Sequence, residues 1–138
     1  MKPIALAALL SFLPGVKAEP PTKPIDVDRL IVSLNEIEQG KWGTPGGILN
    51  ISYALWSDYS KMAYQLSGNR YHALIVYKLA IHGIMARLAR IGHPVTVEAV
   101  ATCWNEGFEG ARRQKFRTSF GTRTSNLYHD TSFNKGIP

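Results

Sequence analysis

A glutamate stands where a helical stripe gives way to glycine, in Glu38-Gln39-Gly40. It is followed by Gly47-Ile48-Leu49-Asn50-Ile51 and, much later, by Trp104-Asn105-Glu106-Gly107. An acid that protonates a leaving oxygen must keep its proton near neutral pH, and a glutamate does so when apolar neighbours penalise its ionised form. Glu38 lies next to Ile37 and one turn after Leu34, at the edge of an apolar stripe, whereas Glu36 points away. With an amide at Asn50 and an aromatic-amide pair at Trp104 and Asn105, the set suits acid-catalysed cleavage of a glycosidic bond. Each piece also has a plain structural reading. Glutamates before glycines at helix ends are common, Trp104 would serve as core packing, and Asn105 and Gly107 would serve as a helix C-terminal turn.

The elements that must position these residues follow from periodicity. Apolar positions 30, 31, 34 and 37 recur at helical spacing behind a cap at Asp26 or Asp28, which predicts a helix ending at Glu38. Gly40, Gly43, Pro45, Gly46 and Gly47 then predict a mobile or tightly turned loop. Ile48, Leu49 and Ile51 read as a strand or a buried turn, Ser52 as the cap of a helix carrying Leu55, Trp56 and Tyr59, and Ser67-Gly68-Asn69 as a turn. Residues 70 to 91 form the longest periodic segment. They predict a helix buried over much of its circumference and central to the domain, stopped by Gly92-His93-Pro94. Thr96 caps a further helix that ends at Trp104-Asn105. Beyond Arg112 the chain is polar and basic.

Composition bounds the rest. Met1-Lys2, an apolar run from Ile4 to Val16 broken by Pro14-Gly15, and Lys17-Ala18 match a secretory signal peptide of residues 1–18 and are too short for a bilayer span. Residues 19–25 are a proline-rich lead-in, 26–128 a single domain, and 129–138 a flexible tail. Loss of the first 18 of 138 residues leaves 120, enough for one core, and lowers the formal charge from +6 to +4. The positive surplus favours anionic polymers in general. Cys103 is the sole cysteine, so no internal disulfide forms, and it reads as a small buried residue. The histidines at 72, 82, 93 and 129 are scattered, so no metal or cofactor is expected. Arg112, Arg113, Lys115, Arg117 and Arg123 lack interleaved aromatics for stacking bases. A solvated surface is therefore expected there, with no nucleic-acid partner.

The order Glu38-Gln39-Gly40, Gly47-Ile48-Leu49-Asn50-Ile51, a long helix, then Ala101-Thr102-Cys103-Trp104-Asn105-Glu106-Gly107 resembles the lysozyme-like superfamily. Soluble lytic transglycosylases and goose-type lysozymes are the nearest in pattern, with Glu-Ser-Gly, Gly-Leu-Met-Gln and Ala-x-Tyr-Asn-x-Gly in the same order. Ser52-Tyr53-Ala54-Leu55-Trp56-Ser57-Asp58 is similar to the segment after the Gln in invertebrate-type and phage relatives. The resemblance spans residues 28 to 110, with an extension at Asn126-Leu127-Tyr128. It implies an all-α, lysozyme-like single domain with at most a minor β-hairpin, built around a central buried helix.

The resemblance further implies cleavage of the β-1,4 bond between N-acetylmuramic acid and N-acetylglucosamine in peptidoglycan; the signal segment implies export, and a monomer is expected. Glu38 would be the general acid and then the base. Asn50, Trp104, Asn105 and Tyr128 would bind substrate, the Trp104 indole face being suited to stack on a pyranose ring. Asp58 looks structural in the related segment, and Glu106 and Glu109 carry no assigned role. With one credible acid, the transglycosylase outcome is expected rather than hydrolysis. The chain departs from the pattern at Gln39, at Asn50, and in having only 11 residues between Glu38 and Asn50, which implies a less complete groove wall. A lysozyme-like module that binds cell wall without cutting it therefore stays open, as does, more weakly, a secreted helical domain that binds a protein or nucleic acid through its basic C-terminal stretch.

Overall fold

The computed structural model describes residues 23–138, so the expected signal segment and residues 19–22 lie outside the described residues. Helix α1, Val27–Glu38, starts at Asp26, whose carboxylate accepts the Arg29 N–H at 3.1 Å. This satisfies one of the amide donors that a helix start leaves unpaired. Leu30, Ile31 and Leu34 are completely buried, as their spacing predicts. A single 3-10 turn, Gly47–Leu49, takes the place of the possible strand, and Ser52 caps α2, Tyr53–Tyr59. A second 3-10 turn, Tyr64–Gly68, leads to Asn69, the cap of α3, Arg70–Arg90. Thr96 caps α4, Val97–Glu106, and then come α5, Phe108–Arg113, and α6, Ser119–His129. The described residues contain six α-helices and no strand, so the fold is all-α without the hairpin that was allowed for.

The enclosed helix is α4 rather than the long α3. In α4, Val97 and every residue from Ala99 to Trp104 are buried. Alanine, threonine and cysteine there let neighbours approach closely. At Gly121 on α6, a Cβ would fall 2.7 Å from the Glu98 carbonyl oxygen and closer still to the Thr102 hydroxyl. Helix α3 is buried on one face only, through Ala73, Val76, Tyr77, Ala80, Ile81, Ile84 and Leu88. Ile75 and Leu79, apolar positions in the segment expected to be buried over much of its circumference, are each 49% exposed. By length and composition α3 also meets the requirements of a membrane span, with a mean hydropathy of 1.2.

The C-terminal third is more ordered than its polar composition predicts. Helix α6 buries Phe120, Gly121 and Thr124 and packs on both α1 and α4. The basic residues are in part tied down, since Arg117 and Thr122 both bond the Glu98 carboxylate, at 2.9 and 3.0 Å. Of residues 129–138, expected as a flexible tail, His129 ends α6 and the rest run against the domain. The Arg29 guanidinium donates to the carbonyls of Tyr128 (2.6 Å), Asp130 (2.8 Å) and Phe133 (2.9 Å). At Tyr128 and Asp130 the helix dipole adds to these bonds, since a cation is favoured at the carbonyl end of a helix.

Candidate active site

Glu38 is the last residue of α1, and the backbone reverses immediately after it. Gln39 adopts the left-handed conformation at φ 53°, its N–H returning to the Asn35 carbonyl at 2.7 Å. The loop that follows is tightly turned. Gly43 N–H donates to Gly68 O at 2.9 Å and Gly46 N–H to the Ser67 hydroxyl at 2.5 Å. Gly40 lies so close to Gly47 and Ile48 that a Cβ would sit 2.7 Å from the Ile48 carbonyl carbon and nearer still to the Gly47 oxygen. The absence of a side chain at Gly40 thus lets the second segment reach the end of α1.

That approach delivers Asn50 to Glu38. Asn50 is itself left-handed, at φ 48°, a conformation asparagine tolerates better than most residues. Its Nδ2 donates to the Glu38 backbone carbonyl at 3.1 Å and to Glu38 Oε2 at 3.3 Å. One donor of the amide that the resemblance assigns to substrate is therefore spent on orienting the carboxyl. Partial burial pushes the Glu38 carboxyl above its ordinary value, and the Asn50 hydrogen bond, which favours the ionised form, opposes that shift in part. The left-handed Gln39 stores backbone strain of about 1 kcal/mol, a cost glycine does not carry. Gln39→Gly is thus expected to raise stability by up to about 1 kcal/mol in urea denaturation.

A small aromatic frame supports the loop from below. The buried Tyr77 hydroxyl donates to Gly46 O at 2.6 Å and accepts from Leu49 N–H at 3.4 Å, and burial pushes its pKa up. Trp42 stacks on the Tyr77 ring at 6.1 Å, and Trp104 meets that ring edge-on at 5.9 Å. The Trp104 indole N–H donates to Leu49 O at 3.3 Å. Trp104 borders the cleft but is only 7% exposed, so it braces the segment and offers no free face for stacking on a sugar.

The cleft itself encloses about 530 Å³ and brings Glu38, Asn50, Trp104 and Asn105 together from three separate parts of the chain. Tyr128 is not among its lining residues. It sits on α6, where its hydroxyl accepts the Asp26 N–H at 2.8 Å and its ring lies beside the Arg29 guanidinium, so it ties the two ends of the domain together. The cleft also holds residues that sequence reasoning passed over or read as structural: Asp58, Tyr59, Gly83, Arg87, Glu106 and Phe108. One signal for them was available. A glycine inside a long helix is costly unless something must come close, and the Tyr59 hydroxyl occupies the space a Cβ at Gly83 would take.

The described residues contain no cluster of histidine, cysteine and carboxylate side chains able to hold a metal. The chain matches no protein-family model, no curated protein and no solved structure. The assignment of chemistry therefore rests on the cleft: a partly buried carboxyl with a raised pKa, oriented by an amide, with two further exposed carboxylates, Asp58 and Glu106, along the same walls. Such a group can deliver a proton to an oxygen, and nearby negative charge favours a cationic ring in the transition state.

Proposed function

We propose that this protein is an exported glycosidase that cleaves the β-1,4 bond between N-acetylmuramic acid and N-acetylglucosamine in peptidoglycan. The supporting observation is that the fold gathers the ordered sequence segments around Glu38, with the Asn50 amide on its carboxyl. Export is part of the same proposal and rests on the sequence of residues 1–18. Protonated Glu38 donates its proton to the bridging oxygen as the glycosidic bond breaks and positive charge develops on the muramic ring. The resulting carboxylate then takes the proton of the muramic 6-hydroxyl as that oxygen bonds to the anomeric carbon. The product is a 1,6-anhydro sugar and the acid is regenerated. Attack by water in the second step would give hydrolysis instead.

The test is digestion of purified sacculi across pH. The first step needs the protonated carboxyl, and because burial raises its pKa the acid form persists to higher pH than for an ordinary glutamate. Fragment release should therefore fall as pH rises through a value displaced above the usual 4.5 for glutamate. Asn50→Ala removes the bond that favours the ionised form, so it should move this limb further upward. A downward or absent displacement in Asn50→Ala would contradict the assigned contact. Sacculus binding without soluble product at any pH would identify a binding module instead.

A further inference from the structure

Arg87 has no place in the proton-transfer scheme, yet it projects from α3 into the same cleft. It is the one cationic side chain among the described lining residues, facing a lining that includes the carboxylates of Glu38, Asp58 and Glu106. Its guanidinium carbon lies 3.9 Å from the centre of the Phe108 ring, and Phe108 in turn packs against Phe116 at 5.4 Å. A guanidinium resting over an aromatic ring loses less freedom on binding than an unsupported one. The nearby Glu109 forms only a loose, half-exposed ion pair with Arg87. Its Oε2 takes the Nε and an Nη of Arg112 at 3.1 and 3.0 Å, leaving Arg87 3.7 Å from Oε1, outside hydrogen-bond reach. Arg87 makes no side-chain hydrogen bond among the described residues and remains 52% exposed.

We infer that Arg87 is a specificity-determining residue that receives a carboxylate carried by the muramic-acid substituent of the bound strand. The inference rests on the peptidoglycan reading and deepens it. An anionic strand finds its one positive partner in the cleft at Arg87, among neutral side chains and the carboxyl groups of Glu38, Asp58 and Glu106. The position of its carboxylate along the groove thereby fixes which sugar bond lies over Glu38. Planar, two-pronged donation from arginine matches a carboxylate better than the point charge of lysine does. The carboxylate belongs either to the lactyl group of an unsubstituted muramic acid or to an attached stem peptide.

The experiment uses the full chain carrying Glu38→Gln, so that ligands are not consumed, and measures binding by calorimetry. The probes are N-acetylglucosamine–N-acetylmuramic acid oligosaccharides with free lactyl carboxylates, the same oligosaccharides bearing stem peptides, and each with its carboxylates converted to amides. Acid forms should bind about tenfold more tightly than their amides, as a charge-assisted contact allows. Addition of Arg87→Gln should reduce that ratio to nearly one, and Arg87→Lys should restore only part of it. The larger of the two acid-to-amide gaps identifies the lactyl or the peptide source. Because each ratio compares two ligands on one protein, a general loss of folded protein does not imitate the effect. Equal binding of acid and amide forms with Arg87 present, or an unchanged ratio in Arg87→Gln, would overturn the inference while leaving the glycan reading intact. Binding of none of the probes would overturn the glycan reading itself.

Discussion

Glu38→Gln should lower the release of soluble fragments from sacculi by about a thousandfold, the usual scale for loss of a general acid. The substitution preserves shape, and its amide oxygen can still accept from Asn50, so the end of α1 and the 46–50 turn should stay in place. The effect on stability has the opposite sign. A carboxyl whose folded pKa is raised is penalised when ionised. Its unfavourable contribution is absent below the unfolded-state pKa, grows as pH rises through the folded pKa, and is complete above it. Glu38→Gln should therefore be at least as stable as the parent at neutral pH, and the difference should vanish in acid. Urea denaturation at two pH values checks this. A variant that is inactive and also strongly destabilised would point to a structural glutamate.

Gly40→Ala should be the most damaging single-methyl change in the site. The added carbon would collide with backbone atoms of Gly47 and Ile48, which cannot rotate away as a side chain would. Overpacking of this kind costs about 3 kcal/mol, equivalent to a fall in melting temperature of more than about 10 °C for a domain this size. The relieved structure must also move Asn50 from Glu38, so the remaining folded protein should lose at least about tenfold in rate through misplacement of the acid. Gly43→Ala is the control. Gly43 has φ of 89° with nothing near its missing side chain, so alanine there should cost only about 1 kcal/mol of backbone strain and leave the cleft intact. Comparable losses at both positions would mean that loop strain, and not the close approach at Gly40, governs the site.

These expectations separate what was legible in the sequence from what was not. The caps at Asp26, Ser52 and Thr96 were legible because N-capping is local chemistry between a side chain and an amide three residues on. The stripe through Leu30, Ile31 and Leu34 was legible because burial follows period. Glu38, Asn50, Trp104 and Asn105 do meet in one cleft, but their atoms are not used as type alone suggests. The Asn50 amide is turned to the acid and the Trp104 indole is turned to the core. Helix α6 was missed because its composition is polar on average and its buried face, Phe120, Gly121 and Thr124, carries only one large apolar side chain. The same blindness affected Tyr128 and Arg29, whose role is a long-range fastening of chain ends. In the sequence Arg87 is one of several cations along the long periodic segment, with Lys78 and Arg90. Only the cleft shows that the Arg87 guanidinium rests over Phe108 in the same cavity as the acid.

Glu38 is the proposed acid, cutting the glycan and then closing the sugar on itself. Mass spectrometry of the soluble material released from sacculi tests both halves at once. The parent protein should yield muramyl fragments lighter by one water than hydrolysed ones, and Glu38→Gln should yield none above background. Equal release by Glu38→Gln, or the absence of any released fragment from the folded parent protein, would contradict the account.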